Sequence, residues 1–149
     1  MDKDFADMKV YIGIDGDCNK SGVTEWYPAT KQLIINSLSF FDLLGRLQSL
    51  KTAGCDIHVV LEAGWLNKSH WHVGANDNRF IASAKGNSTG RNHETGRKLE
   101  EMLKYLELSY ELRRPRNHKV DADYFKKLTG YKGRTNQDQR DSAMLVYGL

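Results

Sequence analysis

Apolar positions along this chain follow two periods, and the switches between them outline its elements. Residues 9–14 (Lys-Val-Tyr-Ile-Gly-Ile) form an apolar, β-branched and aromatic run closed by Asp15-Gly16, which predicts a buried strand. Gly22–Tyr27 and Lys31–Ser37 read as the second and third strands around a turn at Pro28-Ala29-Thr30, and three strands in such close succession predict an antiparallel meander. The period then becomes helical through Phe40, Phe41, Leu44, Leu47 and Leu50, with Ser39 as N-cap, Asp42 three residues on and Gly54 as stop signal. Ile57–Glu62 reads as a fourth strand. From Ala63 to about Asn92 no period holds, and this Gly- and Asn-rich stretch reads as a long, functional or irregular connection.

Helical spacing returns at Leu99, Met102, Leu103 and Leu106. Ser109–Arg114 reads as a fifth strand closed by Pro115, and Asp121–Leu128 as a short helix with Gly130 just past its end. A last helix starts at a Thr135 cap with Asp138 at its third position, and shows an apolar face of Ala143, Met144 and Tyr147. The order β-β-β-α-β-α-β-α-α predicts an α/β chain: a mixed five-stranded sheet, meander plus parallel strands, flanked by helices. At 149 residues, with no linker or repeat, residues 1–149 read as a single domain.

Composition narrows this only slightly. No apolar stretch approaches the roughly 20 residues of a membrane span, the N-terminus is too polar for a secretion signal, and Cys18 and Cys55 have no CxxC spacing. A reducing cytoplasmic location without disulfides or a thiolate zinc site is expected. The net charge of +3 is uninformative, but its distribution is not. Between Arg113 and Arg134 eight Lys and Arg face only Asp121 and Asp123, which suits a polyanionic partner.

Four acids carry the chemistry. Asp15 and Glu62 end two apolar runs, where a carboxylate is costly without a cation or hydrogen bonds. Asp138 and Asp141 lie three apart and so share a helix face. Each alone fits a plainer role: a turn residue, a partner for a Lys or Arg, a charge at a helix start, a solvated side chain. Together, at strand ends and on one helix face, they predict a shared site for Mg²⁺, or Mn²⁺ in its place. Two such ions about 3.5–4 Å apart would serve phosphodiester hydrolysis.

Gly13-Ile14-Asp15-Gly16-Asp17 with Ser21-Gly22-Val23, then Val59-Val60-Leu61-Glu62, then Asp138-Gln139-Arg140-Asp141-Ser142-Ala143, resemble in order the three motifs of the RuvC-type Holliday junction resolvases. The resemblance covers nearly the whole chain. It implies an RNase H-like fold and a Mg²⁺-dependent endonuclease, with Asp15, Glu62, Asp138 and Asp141 as catalytic metal ligands. A homodimer would make paired symmetric nicks in a four-way DNA junction. Trp65, three residues after the second acid, stands where bacterial members carry an aromatic wedge; covering the sheet edge is an equal role for it. Lys119 and Lys132 fall where the family has lysines near the scissile phosphate. Lys68, Arg79 and Arg134 complete the expected DNA-contacting set. The segment 63–92 is longer than its bacterial equivalent.

Other activities fit less well. An RNase H-like nuclease for RNA–DNA hybrids keeps the fold, and a DEDD-type exonuclease is disfavoured by Asp-Gly-Asp at the first motif. A non-catalytic nucleic-acid-binding module has no use for clustered acids beside a phosphate backbone. His70 and His72 flank Trp71 without a third ligand, and His93 reads as a helix cap. Cys18 has no base at motif spacing, and Lys85–Gly90 lacks the order of a phosphate loop.

Overall fold

The computed structural model describes residues 6–66 and 79–149. Strands β1 (Lys9–Asp15), β2 (Ser21–Tyr27), β3 (Gln32–Leu38), β4 (Asp56–Glu62) and β5 (Ser109–Arg113) form one sheet in the order β3-β2-β1-β4-β5. The first three make the expected antiparallel meander, and β4 and β5 add parallel to β1. Helices α1 (Phe40–Thr52) and α2 (Arg79–Tyr105) cover one face; α3 (Ala122–Thr129) and α4 (Gln137–Val146) cover the other.

Alternation along the strands assigns the faces. Val10, Ile12 and Ile14 of β1, with Ile57, Val59 and Leu61 of β4, pack on Leu43, Leu47, Leu99 and Leu103 of α1 and α2. The intervening residues turn to α3 and α4, where Trp26 and Val60 meet Leu145 and Val146, and Ile35 meets Phe125 and Ala143. With both faces covered, β1 and β4 read as near-continuous apolar runs, and β2 is buried along its whole length although it carries Ser21, Thr24 and Glu25.

Local signals explain most boundaries. Ser39 caps α1 by accepting the Asp42 amide. Asp121 caps α3 in the same way, and Gly130 ends it at φ 70°. Three expectations are corrected. The aperiodic 63–92 segment is not irregular throughout: Gly64–Leu66 form a 3-10 turn, and α2 begins at Arg79. Among the described residues, its first turns expose Phe80 and Ile81 and bury none, so no apolar stripe is seen there for periodicity to detect. Lys85–Gly90 therefore lies inside a helix. Asn136, not Thr135, caps α4 through a reciprocal capping box with Gln139, because Arg140 takes both the carbonyl and the hydroxyl of Thr135. The buried face of α4 is Ser142, Ala143, Leu145 and Val146, with Met144 half-buried and Tyr147 just past the helix end.

One buried charge ties β2 to α1. Glu25, 2% exposed, accepts two bonds from the Arg46 guanidinium at 2.7 and 2.9 Å and one from the Tyr27 hydroxyl at 2.5 Å. Arg46→Ala strands that carboxylate, so a loss on the order of 3 kcal/mol is expected in urea unfolding. A change under about 0.5 kcal/mol, the surface-substitution range, would show that water reaches Glu25.

Candidate metal centre

The register of β1 and β4 builds the centre. Ile14 pairs with Leu61, both facing α1 and α2, so the next residues, Asp15 and Glu62, both turn toward α4. Helix α4 approaches the sheet so closely that a Cβ on Gly13 would lie 2.0 Å from the Ser142 carbonyl oxygen, and one on Gly22 would lie 2.2 Å from that of Asp138. The Ser142 hydroxyl fixes the contact with a 2.8 Å bond to Thr24, which pairs with Gly13 across the meander. Two motif glycines thus set the height of Asp138 and Asp141 above the strand ends.

Asp15, Glu62 and Asp141 each place one carboxylate oxygen within 4.8 Å of the others. The Glu62 and Asp141 side chains are only 9% and 11% exposed. Burial, then the hydrogen bond and charge of Glu62, then the charges of Asp138 and Asp141, raise the Asp15 pKa from 3.8 to about 10. Asp138 is also raised, first by burial and then by Asp17 and Asp141, although Lys119 and a hydrogen bond with Asp15 oppose this. Asp138 therefore lines the cleft and bonds to Asp15, but does not belong to the close trio.

Lys119 is the cation paired with the trio among the described residues, 2.7 Å from Asp141 and 3.9 Å from Glu62. Burial disfavours its charge, but Asp141, Glu62 and Asp15 outweigh burial and raise its pKa. Gln137 donates to the other oxygen of Asp141 at 2.8 Å. Arg140, inside the D-x-x-D motif, bonds the Val120 carbonyl at 2.9 Å and so tethers the segment bearing Lys119 to α4. Neither Gln137 nor Arg140 carried a role at the sequence level, since their partners lie up to 20 residues away.

The donor set fits a hard divalent cation: three converging carboxylates, all mutually repulsive, with a lysine ammonium supplying only part of the compensating charge. The trio opens into a cleft of about 370 Å³. Its far wall is α2, which contributes Asn92, His93 and Gly96. His93 is thus well inside a helix and on the cleft wall, not a helix cap. Trp65, half-buried, lies against Gly96, where an added Cβ would meet its ring at 2.2 Å, and packs on the main core. Trp65 thus packs between α2 and the core and also lines the cleft.

Among the described residues, the other basic positions expected to contact DNA lie outside this cleft. Arg79 is exposed at the start of α2, and Arg134 is exposed before α4. Lys132 borders a separate depression with Lys31 and Tyr131. Lys68, His70, Trp71 and His72 lie outside the described residues.

Compared with known protein families, curated proteins and solved structures, the chain gives no match, so the reading of the cleft rests on its own residues. Among the described residues, no helix is long and apolar enough to cross a membrane.

Proposed function

We propose that the cleft is the active site of a metal-dependent nuclease on an RNase H-like fold, with the chain acting in the cytoplasm of a bacterial or phage-infected cell. Within that class the best reading is a RuvC-type Holliday junction resolvase, a homodimer that nicks four-way DNA junctions in symmetric pairs. The observation that carries the proposal is the convergence of Asp15, Glu62 and Asp141 from three separate elements to within 4.8 Å. The strand order β3-β2-β1-β4-β5 and the sequence order of the three motifs support the narrower reading.

Asp15, Glu62 and Asp141 would hold Mg²⁺, with Mn²⁺ able to replace it and Asp138 available to a second ion. When bound, such ions polarise a phosphoryl oxygen and lower the pKa of water for in-line attack. The protein supplies the remainder. Asp138 orients Asp15 through their hydrogen bond, and Gln137 orients Asp141. Lys119, half exposed at the rim, offers its ammonium to the backbone of the cut strand. A two-fold dimer presents two such clefts to a substrate that is itself two-fold symmetric.

The test uses labelled four-way junction, linear duplex, RNA–DNA hybrid and single strand, each with Mg²⁺, Mn²⁺ or EDTA. Paired symmetric nicks confined to the junction and lost in EDTA are expected. Cleavage of the hybrid alone would reassign the substrate while keeping the chemistry. Junction binding without cutting in either metal, or cutting that survives EDTA, would overturn the nuclease reading.

A further inference from the structure

A second groove of about 490 Å³ runs between the first turn of α1 and the middle of α2. It borders the acidic cleft, since Asp17 lines both. Phe40 and Leu99 give it apolar walls, and Thr95 adds a hydroxyl. Arg91 and Lys98 lie about two turns apart on α2, with Glu94 between them, and all three line the groove. Lys98 pairs with Glu101 at 3.2 Å, but both side chains are more than half exposed, so a phosphate could readily replace that contact.

The aromatic residues here are exposed beyond what packing requires. Phe40 is 38% exposed and Phe41 77%, and the two rings meet edge to face with centroids 5.6 Å apart. Neither ring belongs to a hydrophobic core cluster among the described residues.

We propose that this groove is a subsite for an unstacked nucleotide of the DNA strand that enters the acidic cleft, a proposal that rests on the nuclease reading above. The base lies against Phe40 and Leu99, and Arg91 and Lys98 meet its flanking phosphates. Three features select this occupant. The groove continues into the cleft where a phosphodiester is expected, Arg91 and Lys98 offset the acids Asp17 and Glu94 in the same lining and offer donors to phosphate, and an accessible aromatic face accepts any base by stacking. An intact duplex cannot offer a base to such a groove, whereas the crossover of a junction can. The subsite thereby gives this chain a local means of favouring distorted DNA.

The experiment places 2-aminopurine in turn at each nucleotide flanking the crossover of a four-way junction and follows its fluorescence during titration in Ca²⁺. With wild type, one position is expected to change on binding, and Phe40→Ala to abolish that change and weaken junction affinity about tenfold. Phe40→Trp, which keeps a stacking face, should restore both. Arg91→Ala, on the exposed side of α2, should weaken binding and lower the salt slope by roughly one phosphate contact. If Phe40→Ala and Arg91→Ala bind and cut the junction as wild type does, the groove is not a subsite although the nuclease reading stands. If wild type neither binds nor cuts any DNA, the nuclease reading fails and the subsite with it. Should Phe40→Ala fold poorly by its melting curve, Phe40→Trp and Arg91→Ala still decide the matter.

Discussion

Asp15→Asn is expected to abolish junction cleavage and, in the same preparation, to stabilise the metal-free protein. On the proposed reading Asp15 would position the ion, and its removal would forfeit several kcal/mol of transition-state stabilisation, a loss on the order of a thousandfold in rate or more. The opposite effect on stability follows from the environment of Asp15. Its carboxyl is buried beside Glu62, Asp138 and Asp141, which raises its pKa from 3.8 to about 10. The folded state therefore holds a proton that the unfolded chain releases. The stabilisation this provides is complete below about pH 3.8 and is lost as pH rises toward about 10. Asparagine is neutral throughout, so the difference between variant and wild type in EDTA should grow in favour of Asp15→Asn across that window. Mg²⁺ should raise the melting temperature of wild type, and more so as pH rises, because the ion competes with the proton. It should raise that of Asp15→Asn far less. Equal Mg²⁺ stabilisation of both proteins, or retained cleavage by the variant, would remove Asp15 from the metal centre.

Gly13→Ala is expected to damage stability and activity together, although it adds one methyl group. Its Cβ would lie 2.0 Å from the Ser142 carbonyl oxygen, a backbone atom that no rotamer change can move. Helix α4 must lift from the sheet, which stretches the Ser142–Thr24 bond and displaces Asp138 and Asp141 from Asp15 and Glu62. The overpacking costs about 3 kcal/mol, and a shift near 1 Å in the acids costs about a hundredfold in rate. Gly45→Ala is the control. It lies on the exposed side of α1 with nothing within 4 Å of the added carbon. There the same substitution should stabilise by about 0.5–1 kcal/mol through helix propensity and leave cleavage intact. If Gly13→Ala unfolds and cuts like wild type, the close approach of α4 does not set the site.

Elements that bury a face were legible along the chain, because burial imposes a period. The apolar runs of β1 and β4 and the leucine spacing of α1 and the second half of α2 are direct consequences of packing on both sides of one sheet. Among the described residues, the first turns of α2 bury none and so left no period to read. The α4 cap failed for a subtler reason. Thr135 and Asn136 are both good cap residues, and the choice fell to Asn136 because Arg140, a residue of the next turn, claims Thr135.

The same distinction divides the site. Asp15 and Glu62 could be singled out because each terminates a buried strand, and Asp138 and Asp141 because helical spacing gives them one face. Whether they meet depended on strand register and on how near α4 comes to Gly13 and Gly22, and neither is written in local spacing. Lys119, His93 and the groove at Phe40 belong to the acids' surroundings only through the fold. The sequence by itself determined the elements and the acids available, since these follow from local periodicity and the cost of burying charge. The tertiary structure alone decided which acids converge and what lines their cleft, because such contacts join residues distant along the chain through backbone approach and side-chain packing.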